Sequence, residues 1–591
     1  MNARLLDSSP TLAGSTGLPV DVCVRALEAR DARFDGVFFV GIVSTGIYCR
    51  PICPARVSRP EHRRFFRSAA EAERNGFRPC RRCRPELAPG RALVDAVPRL
   101  AHEASRRIAG GALNGRSVGD LARELCVSER HLRRALRAEL GVSPLELART
   151  HRLLLAKQLL TDTTLPLTRI AFASGFQSVR SFQAAFRKHY RMAPRELRRA
   201  ATTAGPAVVV SGRGPGGLSA AGEPRVPAAV RVSRRDSRIP AAAGAPRNPS
   251  ATGDLRNPAA TGEMQVPAAA GLRSRAGSAS ASRNGRSNGG AFATDGPDAL
   301  SLRLAYRPPL DWPSLLDVLR AGALPGVEIV DARRYTRLVA IDGHVGQLTV
   351  EPARGDGLRA TVTTSLLPVL MPLIQRIRRA FDLDANPAEV DAHLREGGLG
   401  ALVDRRPGLR LPGAWDGFEA VFRSVIESVD PPRGPVAARL IEELGEPVVT
   451  GVPGLFRLVP EAGRVAKAGV DALAALGLPT EAAATLVALA RRCADGTLPL
   501  HPGADGGAAY DALLDVDGVE PRLAARIATR ATGWPDLFPA DEPALLRAAG
   551  ARDPQELLER SAAWRPWRGY AALHLLLADA HRAPASPTQR S

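Results

Sequence analysis

Thr45-Gly46-Ile47-Tyr48-Cys49-Arg50-Pro51-Ile52-Cys53 and, after a segment long enough to fold and return, Phe77-Arg78-Pro79-Cys80-Arg81-Arg82-Cys83 hold four of the seven cysteines in this chain of 591 residues. The pattern is Cys-x3-Cys followed by Cys-x2-Cys. Two short knuckles that each supply two sulfurs from one turn are the ligand set of a tetrahedral zinc ion. The same spacing would also serve two disulfides, or a zinc knuckle with a purely structural role. Met1-Asn2-Ala3-Arg4 lacks the apolar core of a secretory segment, so nothing points to an oxidising compartment.

Outward from the cysteines, residues 20–90 offer few aliphatic core positions beyond the β-like run Val37–Val43. So small a core needs a staple, and a metal would supply it. Arginines crowd the same window, among them Arg50, Arg56, Arg81 and Arg82. A zinc ion held by four thiolates carries two net negative charges; nearby cations balance it, and the surplus is available to phosphate.

Charge is distributed unevenly along the chain. Residues 1–300 hold 48 Lys and Arg against 24 Asp and Glu, whereas residues 301–591 hold 33 against 36. The basic half is the expected polyanion binder. No apolar run approaches the length of a membrane span, so the expectation is a cytoplasmic protein with no membrane partner. Cys23, Cys126 and Cys493 stand alone among apolar residues and are expected to be buried, inert thiols.

Residues 95–200 read as helix throughout. Val118, Leu121, Ala122 and Leu125 share one face, Ser128 is placed to cap the next segment, and Leu132, Ala135 and Leu136 lie on the inner side of that segment. Its outward residues include Arg130, His131 and Arg134. After an apolar-faced helix around Leu147–Leu160 the pattern recurs from Ile170 to Lys188, with Phe182, Ala185 and Phe186 inward and Ser178, Arg180, Gln183 and Arg187 outward. Two helix-turn-helix units result, each presenting a helix that would enter a major groove. From Thr202 to Asp298 alanine, glycine, proline and arginine dominate in recurring phrases, a composition that cannot bury a core.

Three resemblances follow from these residues. Thr-Gly-Ile-Tyr-Cys-Arg-Pro-x-Cys with Phe-Arg-Pro-Cys-Arg-Arg-Cys resembles the N-terminal domain of the bacterial Ada-type adaptive-response proteins, over residues 20–90. That resemblance implies one zinc ion held by Cys49, Cys53, Cys80 and Cys83, with Cys49 also the nucleophile that takes a methyl group irreversibly from a DNA methylphosphotriester. Ile170 to Phe186, closed by Pro194, is similar to the AraC-type DNA-binding domain, with Arg191 where glycine is usual. It implies a transcriptional activator whose partners are double-stranded DNA, both alkylated DNA and a promoter operator, and RNA polymerase.

Residues 301–582 resemble the AlkA-type 3-methyladenine DNA glycosylases. The resemblance rests on Tyr306-Arg307-Pro308-Pro309-Leu310-Asp311-Trp312, Phe381–Pro387, Arg406–Gly413, Gly496–Leu500 and Trp564–Ala571. It implies base excision by a helix-hairpin-helix whose turn, here Asp517-Gly518-Val519-Glu520-Pro521-Arg522, offers Gly518 to phosphate, and by a following carboxylate, here Asp541 or Glu542. Glu520 departs from the second glycine of that turn and Arg522 from its tryptophan, while Glu427-Ser428 stands where Gln-Gln is general. Cys493, within Arg491-Arg492-Cys493-Ala494-Asp495, does not match the Pro-Cys-His-Arg motif of guanine-methyl acceptors, so that activity is not expected.

The expected fold class is a multidomain α+β protein. A small zinc-bound α/β domain occupies 15–92, an all-α double helix-turn-helix domain 95–200 and a disordered linker 201–298. A small α+β domain at 299–390 and an all-α helix-hairpin-helix domain at 391–582 complete it.

Overall fold

A computed structural model describes residues 18–90, 99–203, 299–429 and 433–582. The linker expected at 201–298 lies outside them, apart from residues 201–203, which end a helix. The first body opens with α1 (Val20–Glu28) and builds a four-stranded sheet from β1 (Phe39–Ile42), β2 (Ile47–Cys49), β3 (Arg63–Phe66) and β4 (Arg78–Pro79), with α2 (Ala69–Arg74) between the last two. The strand order is β3-β1-β2-β4. Gly46, at φ 63°, helps turn β1 into β2, a left-handed conformation that glycine takes at little steric cost. Aromatic rings fill the small core, Phe39 edge-on to Tyr48 and Phe66 against Phe77.

Helices follow: α3 (Arg99–Ala109), α4 (Val118–Glu124), α5 (Glu129–Leu140), α6 (Pro144–Asp162), α7 (Leu167–Ala173), α8 (Val179–Tyr190) and α9 (Pro194–Thr203). Their starts are written in the sequence. Ser117 with Asp120 and Ser143 with Glu146 form reciprocal capping boxes, and Ser128 and Ser178 cap α5 and α8 with their hydroxyls. The two halves differ at their C-caps. Gly141 ends α5 at φ 73°, whereas α8 ends on Arg191 at φ 53°, a left-handed site occupied by a side chain that disfavours it. Cys126, expected to be buried, is exposed; it sits at φ 53° in the turn between α4 and α5, which points it away from the helical core.

The second half begins with β5 (Ala299–Ala305), α10 (Trp312–Ala321), β6 (Glu328–Val330), β7 (Tyr335–Ile341), β8 (His344–Pro352), β9 (Gly357–Thr363) and α11 (Leu370–Ala380). The five strands form an antiparallel sheet in the order β5-β9-β8-β7-β6. Helices continue as α12 (Pro387–Leu394), α13 (Gly400–Arg405), α14 (Gly417–Ser428), α15 (Arg433–Leu444), α16 (Ala462–Ala475) and α17 (Thr480–Ala494). The last are α18 (Gly506–Leu514), α19 (Pro521–Thr532), α20 (Pro543–Ala549), α21 (Pro554–Arg560) and α22 (Arg568–Arg582).

One apolar core crosses the expected boundary between the halves. Leu153, Leu160, Ile170, Phe182 and Phe186 of the helical reader belong to the same buried cluster as Leu300, Leu348, Leu370 and Ile377 of the sheet body. Arg307 reinforces the junction. The residue is 1% exposed, and its guanidinium donates to the backbone oxygens of Asp35 at 3.1 Å, Gly90 at 2.6 Å and Asp384 at 2.7 Å. A Cβ at Gly90 would stand 2.4 Å from the Asp384 carboxylate, so any larger residue there would have to displace that side chain.

Candidate metal centre and nucleic-acid interface

Sheet register brings the two cysteine knuckles together. The Tyr48 carbonyl accepts from the Cys80 amide at 2.9 Å and the Gly46 carbonyl from the Arg78 amide at 2.9 Å, pairing β4 with β2 in parallel. Cys49 ends β2, and a tight turn from Arg50 O to the Cys53 amide, 3.1 Å, returns the second sulfur. All four Sγ atoms lie within 4.8 Å of one another. Zinc–sulfur bonds of about 2.3 Å in a tetrahedron put sulfurs roughly 3.8 Å apart, so the cluster has the right dimensions and an all-thiolate donor set. These four cysteines hold one zinc ion. Backbone amides support the sulfurs: Arg50 N–H donates to Cys83 Sγ and Arg82 N–H to Cys80 Sγ, each at 3.4 Å.

Cys49 is 8% exposed, much like Cys80 at 8%, Cys83 at 7% and Cys53 at 6%. Arg50, expected to meet phosphate, is instead buried. Its Nε donates to Asp35 Oδ1 at 2.8 Å, its Nη2 to Asp35 Oδ2, and its Nη1 to the Cys83 carbonyl at 3.1 Å. The chain turns this side chain inward because Asp35 is a buried carboxylate that requires a partner. Arg56, Arg81 and Arg82 are exposed, and Arg81 also reaches Met192 Sδ at 2.9 Å.

On the reader, Arg130, His131, Arg134, Arg180 and Arg187 are exposed along α5 and α8, and Gln183 is half-buried. Arg134 contacts His131 Nδ1 at 3.3 Å. Ser178 is exposed and spends its hydroxyl as the cap of α8, accepting from the Ser181 amide at 3.1 Å.

In the C-terminal body the turn between α18 and α19 places Gly518 at φ 80°, where a Cβ would stand 2.3 Å from Thr485 Oγ1. Glu520 opens α19 and turns its carboxylate to Arg522 at 3.0 Å. Glu542 opens α20, and its Oε2 accepts from Arg526 Nη2 at 3.0 Å. Arg526 stands 3.9 Å from Glu427, which pairs with Arg530 at 2.8 Å. Burial opposes ionisation of Glu427, but the two arginines hold its carboxyl below the usual range. Asp541 is partly exposed beside this network. Sequence reasoning missed Asp35, Arg307 and Arg526, whose partners are distant in the chain; only Glu427, noted as a departure, pointed at the network.

A tetracysteine zinc module, paired helix-turn-helix units and a sheet-plus-helix body with a helix-hairpin-helix define a multidomain DNA-binding regulator joined to a repair fold. Residues 22–86 match the metal binding domain of Ada, 121–200 a helix-turn-helix domain and 301–416 the AlkA N-terminal domain. The chain is 31% identical over 574 residues to "Probable bifunctional transcriptional activator/DNA repair enzyme AlkA" of Mycobacterium tuberculosis, covering 96% of this chain and 98% of that one. It is 32% identical to DNA-3-methyladenine glycosylase 2 of Escherichia coli, over 46% of this chain and 95% of that one. To the bifunctional transcriptional activator/DNA repair enzyme Ada of Escherichia coli it is 35% identical, over 22% of this chain and 35% of that one. The chain belongs to the family of Ada–AlkA fusions.

Proposed function

We propose that this chain is a DNA alkylation-response protein that takes a methyl group from a DNA methylphosphotriester onto Cys49, once per molecule, and thereby becomes a transcriptional activator. The observation that carries the reading is the four-sulfur cluster to which Cys49 contributes, beside the exposed Arg56, Arg81 and Arg82. Zinc, when bound, keeps the sulfurs deprotonated at neutral pH. A lone pair on Cys49 Sγ then forms the new S–C bond in line with the methyl carbon, the C–O bond to the phosphate oxygen breaks, and an ordinary phosphodiester leaves with the electron pair. The site loses one negative charge. Repulsion of the DNA backbone falls, and the exposed Arg56, Arg81 and Arg82 together with the helices α5 and α8 hold the operator more tightly. RNA polymerase is the partner of the DNA-bound activator, in the cytoplasm. Among the described residues, no helix is long and apolar enough to cross a membrane.

For residues 391–582 the fold supports excision of alkylated bases, with Asp541 or Glu542 as the carboxylate that stabilises the cationic sugar. The Arg526–Glu542 ion pair favours a second reading, a body that holds DNA without base release.

Mass spectrometry of the zinc-loaded chain after incubation with methylated DNA tests the first activity. One added methyl on Cys49 is expected; no methyl, or full transfer by Cys49→Ser, would sink it. Base release from alkylated duplex that vanishes in the joint Asp541→Asn and Glu542→Gln variant supports excision. Release that survives it refutes the site.

A further inference from the structure

We infer that Glu73 is a positioning residue that couples the methylation state of Cys49 to the second DNA-reading helix. The inference rests on the proposed methyl transfer and adds the route by which it reaches the reader. Glu73 lies on α2 and is 7% exposed. One oxygen accepts from Tyr48 Oη at 3.1 Å, and the other accepts from Thr150 Oγ1 at 2.7 Å, with His189 Nδ1 at 4.0 Å. Tyr48 precedes Cys49 on β2, and its carbonyl holds the Cys80 amide, so it is tied to both cysteine knuckles. Thr150 sits on α6, the helix that joins the two helix-turn-helix units, and His189 lies in the last turn of α8.

A buried carboxylate is tolerated only while its oxygens are satisfied, so its partners move together or the site loses free energy. Methylation adds a carbon to the sulfur of Cys49, a residue buried within a packed cluster, and removes one charge from that cluster. The end of β2 must give way, and Tyr48 is the adjoining residue. Separate joints keep the module seated on α6 meanwhile: Lys157 Nζ meets Glu86 Oε2 at 2.5 Å and Arg84 meets Asp162 at 2.8 Å. Movement at Tyr48 is therefore passed through Glu73 to Thr150 and to the end of α8, while the two modules stay docked.

The test uses full-length, zinc-loaded chains and a duplex selected from a random-sequence pool by the methylated native protein. In the native chain methylation should raise affinity for that duplex by a factor on the order of 5 to 150, the usual range for coupled sites. Glu73→Gln and Thr150→Val should keep one zinc per chain and accept methyl at a rate within about threefold of native, while the gain falls clearly below the native value, to what the lost charge alone contributes. Thr150→Ser, which keeps the hydroxyl, should restore it. Variants that keep the full gain overturn the coupling alone. A native chain that accepts no methyl overturns the reading on which the coupling rests. If Glu73→Gln loses its zinc, Thr150→Val and Thr150→Ser still decide the outcome, because the hydroxyl lies outside the zinc module.

Discussion

The Arg50 guanidinium grips both oxygens of the Asp35 carboxylate, Nε to Oδ1 at 2.8 Å, with both side chains buried and Arg50 next in the chain to the zinc ligand Cys49. A residue placed by its position beside the zinc loop to meet phosphate is thus part of the loop's support. From the other side, the Asp35 backbone carbonyl accepts from Arg307 in the C-terminal half. Zinc loop, buried ion pair and second half of the chain form one continuous set of contacts.

Removal of one partner leaves the other charge buried and alone. Asp35→Ala should cost about 3–5 kcal/mol of stability, whereas an exposed change such as Arg56→Ala should cost less than about 0.5 kcal/mol. Denaturant unfolding of the zinc-loaded chain measures the contrast, and equal costs would remove Arg50–Asp35 as the support of the loop.

Chelation should unfold residues 18–90 selectively. Structural zinc contributes on the order of 10–16 kcal/mol in small modules, more than so small an apolar core can replace. Limited proteolysis with a strong chelator should cut first in the zinc module, and Cys53→Ser, Cys80→Ser and Cys83→Ser should each show the same cutting without chelator. Zinc content below one per chain in each variant is the accompanying measurement.

Arg191 holds the left-handed C-cap of α8 at φ 53°, the position that Gly141 fills after α5. Arg191→Gly should raise stability by about 1 kcal/mol, since glycine adopts this conformation without the Cβ clash. A rise in the thermal midpoint checks it; a fall would mean that the arginine side chain contributes more than its backbone costs.

Burial pushes the imidazoles of His151 and His574 down to about 4, and neither ring nitrogen of His574 has a hydrogen-bond partner. A histidine whose folded value is depressed binds more protons when unfolded. Its stabilising contribution is full above pH 6.5 and is lost as the pH falls toward 4. Stability should fall by about 3 kcal/mol per histidine across that interval. His574→Leu should reduce the slope, which unfolding curves between pH 7 and 4 would reveal.

Arg526 neutralises Glu542 in a pair about one quarter exposed. If Glu542 stabilises a cationic sugar, Arg526→Gln should speed base release from alkylated duplex roughly fivefold, the equivalent of about 1 kcal/mol for such a pair. An unchanged rate with Glu542→Gln also unchanged would transfer the role to Asp541.

What the sequence determined by itself is local. Cys49 with Cys53 and Cys80 with Cys83 announce zinc because each pair is set by a single turn, and the start of α5 is readable because Ser128 caps it within three residues, whereas Ser178, expected among the outward DNA-reading residues, caps α8 in the same way. The strands β6 to β9 show in the alternation of Val327–Val330, Tyr335–Ile341, Val345–Val350 and Leu358–Val362. Strand β5 is not announced by the sequence, because its partner β9 lies far along the chain and pairs Leu302 with Ala360. Tertiary structure alone decided the fate of individual charges. Arg50 turned inward to Asp35, Glu542 found Arg526, and Glu73 joined Tyr48 to Thr150, in each case across a stretch of chain over which spacing carries no information. A buried charge takes the nearest partner the fold provides, and that neighbour exists only after the elements have packed.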